Sequence, residues 1–330
     1  MRSLLGLLAL GLACRATPLP ESARYPAGTA FSARFVTAAG TRIRYIDAGT
    51  GPPVLFLHGL GASLYTWRHI LQPIMQAGFR VIAFDNRGFG ESDKPPTGYR
   101  NADYERLATA LLDSLHIQDA VLVGHSMGGA IAAEVAIRDP QRVRGLVLIG
   151  AAGLGAREPL LFKVARWPVL GPLMVSFRGR SLTERLLRST YADPEKVTPA
   201  DVDQYYASVA DPSYGAALRA VLREFDFNAL DGRLERIQAA TLLIWGAEDR
   251  WVPLGAGRGF AAQLLRVALV IVPHAGHAVQ EEAPAETSRL LIRFLTQGLP
   301  RVPENLASAG PGTLYFINHV VEDLSSCHPS

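Results

Sequence analysis

Three residue types that together perform nucleophilic catalysis stand in separate loops of this sequence. Ser126 lies within the pentapeptide GHSMG, Asp249 lies within GAED, and His277 follows a glycine in HAGH. A serine hydroxyl becomes a useful nucleophile when a histidine accepts its proton, and a carboxylate can orient that histidine and stabilise its charged form. If the fold brings these side chains together, the sequence predicts attack on a carbonyl group through a covalent intermediate.

The segment around Ser126 matches the motif G-x-S-x-G, with Gly124 and Gly128 as its glycines. The apolar run AVLVG before it predicts a buried strand, and MGGAIAAEVAIRDP after it predicts a helix. A sharp turn between them holds the hydroxyl out at the end of the strand, and larger side chains at the glycine positions would collide with the strand and the helix. His125 is expected to point to the other side of this turn.

The candidate base and acid also follow predicted strands. His277 comes after the strand VALVIV and is the expected general base, although His274 is three residues away and stays open as an alternative. Asp249 comes after the strand TLLIWG, and its neighbour Glu248 is expected to point elsewhere. Because the carboxyl ends of parallel strands meet at one edge of a sheet, Ser126, Asp249 and His277 are predicted to converge there.

Buried strands and helices alternate through most of the chain. Apolar runs such as VLFL, RVIAF and VRGLVLIG are separated by helical segments, which predicts an α/β fold with a mostly parallel sheet covered on both faces. The alternation stops between residues 154 and 236. We therefore predict a core formed by residues 29–153 and 237–298, with residues 154–236 as a helical cap. The aromatic residues of this cap are expected mainly to pack within it, with a few lining a pocket. They are Trp167, Tyr191, Tyr205, Tyr206, Tyr214, Phe225 and Phe227.

The two ends of the chain lie outside this alternation. Residues 1–13 combine an early arginine with a short apolar stretch, which is typical of a secretory signal, and cleavage there would leave Cys14 as a lipidation site. Export is therefore predicted, to the periplasm, the exterior or a membrane reached through lipidated Cys14, whereas a non-functional signal would leave the protein in the cytoplasm. Residues 14–28 are predicted to be a linker, and residues 299–330 an extension of unknown role.

Composition and motif spacing argue against several classes of function. With 330 residues, 48% of them hydrophobic, the chain can bury a large core, and its net charge of +3 comes without the basic blocks typical of nucleic-acid binding. His274 and His277 lack acidic or cysteine partners at metal-ligand spacing, so no metal site is predicted. The glycines that follow VLFLH lack the dinucleotide-binding pattern, so no cofactor is predicted.

Together these motifs resemble those of the α/β-hydrolase family over about residues 35–298. The matching segments are HGLG at 58–61, DNRGFGESDKP at 85–95, GHSMGG at 124–129, GAEDRWVP at 246–253 and HAGHAVQEE at 274–282. The resemblance implies an eight-stranded, mostly parallel sheet flanked by helices, with a helical cap inserted after the sixth strand. It also implies the order nucleophile, acid, histidine that Ser126, Asp249 and His277 follow.

The resemblance extends to the groups that stabilise the negatively charged oxygen formed during attack. One donor is expected to be the backbone N–H of Met127, which directly follows the nucleophile. The second is expected from the loop after the first buried strand, where the family pattern points to the N–H of Leu60. His58 and Gly59 are expected to support this loop, with His58 orienting it.

The type of nucleophile narrows the reaction. Members of the family that open epoxides or remove halides carry aspartate at this position, so Ser126 favours hydrolysis of a small, apolar carboxylic ester or a related acyl substrate. One alternative is C–C bond hydrolysis of vinylogous diketones (meta-cleavage products), but those enzymes usually carry tryptophan after the Gly-His pair, where this chain has Ala278. Another alternative is a non-catalytic binding protein of the same fold.

Overall fold

The computed structural model describes residues 18–27, 29, 31–155, 160–168, 171, 178–299 and 316–317. The predicted signal at 1–13, Cys14 and most of the extension at 299–330 lie outside these residues. Within the described ranges, no helix combines the length and the apolar character needed to cross a membrane.

Among the described residues, a mostly parallel sheet of nine strands forms the centre of the molecule. The strands are β1 (Arg34–Ala38), β2 (Thr41–Ala48), β3 (Pro53–Leu57), β4 (Arg80–Phe84), β5 (Ala120–His125), β6 (Val143–Ile149), β7 (Thr241–Gly246), β8 (Val267–Val272) and β9 (Phe316–Ile317). Their order is β1-β2-β4-β3-β5-β6-β7-β8-β9, and β2 pairs antiparallel with both β1 and β4. The predicted eight-stranded sheet is confirmed, and two residues of the C-terminal extension add the short edge strand β9.

Helices cover both faces of this sheet. They are α1 (Leu71–Gln76), α2 (Asn101–Ser114), α3 (Met127–Arg138), α4 (Leu160–Ala165), α5 (Arg180–Ser189), α6 (Pro199–Val209), α7 (Tyr214–Glu224), α8 (Leu254–Gln263), α9 (Val279–Glu282) and α10 (Pro284–Gln297). In β6, Leu146 and Leu148 belong to the cluster that α2, α3 and α8 cover, whereas Val147 and Ile149 belong to the cluster that α1 and α10 cover. Because successive side chains of a strand point to opposite faces, a strand buried on both sides reads as a continuous apolar run.

Helices α4 to α7 lie between β6 and β7, where the sequence predicted a helical region. Helix α6 begins with a capping box, because the Thr198 hydroxyl accepts the N–H of Asp201 (3.2 Å) and the Asp201 carboxylate accepts the N–H of Thr198 (3.0 Å). We call residues 154–236 the cap region, and its bounds as a separate domain stay a prediction. A small apolar cluster joins it to the loop after β8. Its members are Leu187, Tyr191, Val197, Val202 and Ala278.

The segment predicted as a linker is packed onto the body in its described part. Arg24 and Tyr25 are buried there, and Arg24 Nη1 lies 2.5 Å from the Glu91 carboxylate. Glu21 approaches Arg44 Nη2 of β2 within 2.5 Å. The sequence pattern does not show this packing because the segment is too short for apolar periodicity, and its ion pairs and the core contact of Tyr25 join residues far apart in the chain.

Candidate active site

Ser126 lies at the turn between β5 and α3 in an unusual backbone conformation. Its φ is +52° and its ψ is −118°, a region that residues other than glycine adopt only where the surrounding structure holds them. A Cβ atom at Gly124 would overlap the carbonyl group of Gly128, and one at Gly128 would overlap the carbonyl group of Leu57. The two glycines therefore permit the tight turn that the motif predicted.

Asp249 and His277 form a buried hydrogen-bonded pair. His277 Nδ1 lies 2.8 Å from Asp249 Oδ2, and Asp249 Oδ1 accepts the N–H groups of Trp251 (2.9 Å) and Val252 (2.8 Å). The Asp249 side chain is 0% exposed and that of His277 is 7% exposed. A bond to a carboxylate assigns the His277 proton to Nδ1, which leaves Nε2 free to accept a proton from a nucleophile.

His274, the alternative base, is not part of this pair. Its side chain is 92% exposed, and its Nδ1 lies 3.9 Å from the carboxylate of Glu248, which also points away from the pair. The structure thus brings His277 rather than His274 to Asp249. Within the described residues, no group of three or more His, Cys, Asp or Glu side chains is arranged to hold a metal ion.

The end of β6 brings Ser126 close to the pair formed by Asp249 and His277. The N–H of Ser126 donates to the carbonyl oxygen of Ile149 (3.0 Å), and the carbonyl oxygen of Ser126 accepts the N–H of Ala152 (3.1 Å). Between these two contacts lies Gly150, where a Cβ atom would be 3.1 Å from the carboxylate and 3.2 Å from the imidazole of the pair. The Ser126 hydroxyl itself makes no hydrogen bond within the described residues. Such bonds are often long in unliganded sites and tighten when substrate binds.

Two backbone N–H groups beside the nucleophile are free to bind an anion. The N–H groups of Leu60 and Met127 have no acceptor among the described residues. A Cβ atom at Gly59 would lie 3.1 Å from Ser126 Cβ, so the loop that carries Leu60 packs directly against the nucleophile. Donors fixed in this way can stabilise the negative oxygen that forms when a serine attacks a carbonyl group.

His58 ties this loop to the end of β4. Its Nδ1–H donates to the carbonyl oxygen of Gly59 (2.8 Å), and its Nε2 accepts the N–H of Asn86 (2.8 Å). Burial lowers the pKa of His58, and the resulting neutral ring suits one donated and one accepted hydrogen bond. His58 thus contacts both the loop and the end of β4, and its orienting role stays a prediction.

His125 does not point away from the site, and that expectation was wrong. Its Nε2–H donates to the carbonyl oxygen of His277 (3.0 Å), and the centroids of the two rings are 4.8 Å apart. Burial first, and then the nearby His277 ring, lower the pKa of His125 well below its usual value, so the ring is neutral. The sequence gives no signal for this contact because the two residues are 152 positions apart.

The segment between α5 and α6 holds the loop that carries the base. The buried Glu282 carboxylate accepts the N–H groups of Ala192 (3.0 Å), Asp193 (2.8 Å) and Gly276 (2.7 Å). The N–H of Ala278, the residue after His277, donates to the carbonyl oxygen of Thr190 (3.1 Å). The cap region therefore supports the base through backbone contacts that the motifs did not reveal.

Trp251 makes a second link between the cap region and the base. Its ring stacks on that of His277, with centroids 6.4 Å apart and an interplanar angle of 21°. Its indole N–H donates to the carbonyl oxygen of Ser189 at the end of α5 (3.1 Å). The Asp249 carboxylate therefore holds the His277 ring at Nδ1, and the indole of Trp251 lies nearly parallel to that ring beside it.

Sequence comparison places the chain among hydrolases. The family model described as alpha/beta hydrolase fold matches residues 52–284. The chain is 34% identical over 276 residues to a 2-hydroxy-6-oxo-6-phenylhexa-2,4-dienoate hydrolase of Comamonas testosteroni, covering 77% of this chain and 91% of that protein. It is 32% identical over 274 residues to a 2-hydroxymuconate semialdehyde hydrolase of Pseudomonas sp. strain CF600, covering 80% of this chain and 94% of that protein.

Solved structures agree with this placement. A meta-cleavage product hydrolase from Pseudomonas fluorescens IP01 is similar with a TM-score of 0.70 and 28% identity, over 81% of this chain and 98% of that one. A membrane phospholipase A, described as a bacterial virulence factor, is similar with a TM-score of 0.68 and 28% identity, over 80% and 86%. The relatives support hydrolase activity, and they favour the C–C alternative over the main prediction of ester hydrolysis. The chain belongs to the α/β-hydrolase family.

Proposed function

We propose that this protein is a serine hydrolase in which Ser126 is the nucleophile, His277 the general base and Asp249 the residue that orients the base. The observation that carries the proposal is the buried hydrogen bond between Asp249 and His277. The pair lies beside the carboxyl end of β6, which also binds the backbone of Ser126. A base with its Nδ1 proton engaged and its Nε2 lone pair free is what a serine nucleophile requires.

In the proposed mechanism, the reaction has two halves. His277 Nε2 accepts the hydroxyl proton as Ser126 Oγ attacks a substrate carbonyl carbon, and the N–H groups of Leu60 and Met127 bind the oxyanion. When the tetrahedral intermediate collapses, the bond to the leaving group breaks and the leaving atom takes the proton from His277. Water then attacks the acyl-enzyme with the same assistance, which releases the acid and restores the serine.

As the substrate class we propose vinylogous diketones, cleaved at a C–C bond. The support comes from the relatives at 34% and 32% identity, named as hydrolases of a 6-oxo-dienoate and of a muconate semialdehyde. In a vinylogous diketone, Ser126 attacks one carbonyl group and the adjoining C–C bond breaks. Its electron pair is delocalised through the C=C bond onto the second carbonyl group, and the carbon then gains the proton held by His277.

Ester hydrolysis is the second candidate, and two observations favour it. Ala278 follows the base and is buried against Leu187 and Tyr191, at a position where the C–C hydrolases usually carry tryptophan. The likeness to a membrane phospholipase A supports the same candidate. An ester places an oxygen leaving group at the point where the His277 proton is delivered, so the same residues serve both reactions.

Parallel kinetics on the two substrate classes test the proposal. A conjugated vinylogous diketone is followed by the loss of its absorbance, and p-nitrophenyl butyrate by the release of nitrophenolate. We expect the wild-type protein to have the higher kcat/KM on the diketone. Ser126→Ala is expected to lower kcat on either substrate by roughly 10³-fold or more, with little change in stability.

Labelling by an organophosphonate separates catalysis from ligand binding. Labelling of the wild-type protein, but not of Ser126→Ala, supports the assignment of the nucleophile. A higher kcat/KM on the ester would transfer the substrate assignment to esters. A wild-type protein that neither turns over these substrates nor reacts with the phosphonate would contradict the hydrolase proposal and favour a binding protein of the same fold.

A further inference from the structure

Tyr214 is an aromatic residue of the cap region that lies next to the loop at the nucleophile. It is the first residue of α7 and is 6% exposed. Its ring meets the ring of Phe89 edge to face, with centroids 6.2 Å apart and an interplanar angle of 71°. The ring is therefore fixed by packing, and the position of its hydroxyl group follows from that packing.

The hydroxyl group reaches the loop Gly59-Leu60-Gly61. A Cβ atom at Gly61 would lie 3.3 Å from the Tyr214 oxygen, and one at Gly59 would lie 3.1 Å from Ser126 Cβ. The free N–H of Leu60 is carried between these two glycines. The loop thus has the nucleophile against one of its ends and the Tyr214 hydroxyl against the other.

This hydroxyl group has no hydrogen-bond partner among the described residues. Two other tyrosines of the cap region differ in this respect, because the hydroxyls of Tyr191 (3.4 Å) and Tyr205 (2.6 Å) both donate to the Glu281 carboxylate. Tyr214 is largely buried, but its oxygen is not one of the fully enclosed side-chain atoms that lack a partner in the described part of the chain. A molecule bound beside the loop can therefore reach this oxygen and accept its hydrogen bond. The contrast separates Tyr214 from the tyrosines that serve packing and internal hydrogen bonding.

The ionisation state of Tyr214 suits a hydrogen-bond donor. Burial raises the pKa of Tyr214 to about 12, and the nearby Arg178 opposes that rise. The phenol is therefore protonated at neutral pH and can donate to an oxygen atom that carries negative charge.

We propose that Tyr214 is a substrate-contacting residue, whose hydroxyl donates a hydrogen bond to a substrate oxygen bound beside the loop 59–61. This inference rests on the proposed function, because it takes the Ser126 site as the place where substrate binds. The substrate oxygen gains negative charge as Ser126 attacks or as the leaving fragment departs, so the bond strengthens in the transition state. The cap region then contributes a donor to the reaction in addition to shaping the pocket.

Tyr214→Phe tests the proposal because it removes the oxygen atom and keeps the ring. We expect kcat/KM to fall by roughly 10- to 100-fold, mainly through kcat, on the better of the diketone and p-nitrophenyl butyrate. The melting temperature is expected to stay at the wild-type value, because no internal hydrogen bond is lost. Tyr206→Phe is the matched control, since it removes another hydroxyl of the cap region, and its kinetics should equal those of the wild type.

The outcome for Tyr214 is independent of the outcome for the nucleophile. Comparison of the wild type with Ser126→Ala tests the hydrolase, and comparison of the wild type with Tyr214→Phe tests the added donor. Kinetics of Tyr214→Phe within twofold of the wild type on both substrates would overturn the inference and leave the hydrolase proposal standing. A loss of activity matched by an equal loss in Tyr206→Phe would also overturn it, since the effect would then belong to the cap region as a whole.

Discussion

At the scale of single residues, Asp249 decides which nitrogen of His277 carries the proton. Asp249→Asn keeps the size of the side chain but allows an N–H group to face Nδ1, which favours the imidazole tautomer that cannot accept the serine proton. We expect the fold to remain intact and kcat to fall by roughly 10⁴-fold. Steady-state kinetics and thermal unfolding measure the two effects. Glu248→Gln is the control, and a near-wild-type kcat for Asp249→Asn would remove Asp249 from this role.

Two buried neutral histidines, His58 and His125, make stability depend on pH. Burial lowers the pKa of each below the value of about 6.5 that it has in the unfolded chain. Below that pH the unfolded chain binds protons that the folded protein does not. The free energy of unfolding is therefore unaffected by these groups above about pH 7, and it falls on acidification by up to about 1.4 kcal/mol per pH unit for each histidine.

His125→Gln is expected to reduce this acid sensitivity. Glutamine keeps an N–H group that can donate to the carbonyl oxygen of His277, but it does not take up a proton. Denaturant unfolding at pH 5 and pH 8 should therefore show a smaller difference for the variant than for the wild type. His116→Asn, at an exposed position with positive φ that asparagine tolerates, should keep the wild-type difference. An unchanged difference in His125→Gln would contradict the assignment.

Sequence and structure agree at those residues whose position depends on one local pattern. Ser126, Asp249 and His277 each follow an apolar run, and the shared edge of a parallel sheet brings such residues together. The contact of His125 with the carbonyl oxygen of His277 spans 152 positions, and that of Trp251 with Ser189 spans 62. No periodicity or motif reports such contacts, because they depend on how distant loops meet.

At the scale of elements, the alternation of strands and helices predicted the fold class and the place of the cap region. It did not predict how the cap region meets the core. Arg68 illustrates the reason, since it pairs with Asp201 of α6 (2.8 Å) and with Glu281 of α9. Glu281 also accepts the hydroxyl of Tyr205 (2.6 Å). Charged residues usually lie on the surface, so a sequence alone predicts exposure for Arg68. Its burial becomes apparent only when its partners in the fold are known.

Glu282 offers a test of the contact between the cap region and the base loop. Glu282→Gln replaces one oxygen by an amino group, which faces backbone N–H groups that need an acceptor. We expect the free energy of unfolding to fall by about 1–3 kcal/mol, and kcat to fall as the base loop loosens. Chemical denaturation and kinetics measure these changes.

The matched control for Glu282 is Glu286→Gln, because Glu286 pairs with Arg289 on the surface of α10. That variant should keep both the stability and the kcat of the wild type. A Glu282→Gln protein with wild-type stability would show that the three backbone contacts are not important for the fold.

At the scale of the whole molecule, the predicted signal determines where the protein resides. The proposed signal at residues 1–13 and lipidation of Cys14 would attach the chain to a membrane by acyl chains. Cys14→Ser is then expected to move the protein from the membrane fraction to the soluble fraction of its host. Cys327→Ser is the control and should leave the distribution unchanged. A wild-type protein already found in the soluble fraction would contradict the anchor.

The bonds from Glu282 to Ala192 and Asp193 bear on how such enzymes can be recombined. Exchanging residues 154–236 between homologues is an obvious way to transplant substrate specificity. Here that exchange would also replace the backbone N–H groups that bind Glu282, 90 positions further along the chain from Ala192, and that brace the His277 loop through it. A graft that retains every catalytic side chain would therefore lose rate unless the donor segment presents two N–H groups at the same place. The homologue that supplies the segment should therefore be chosen by whether its backbone at residues 190–193 can bind Glu282, rather than by the overall resemblance of its helices.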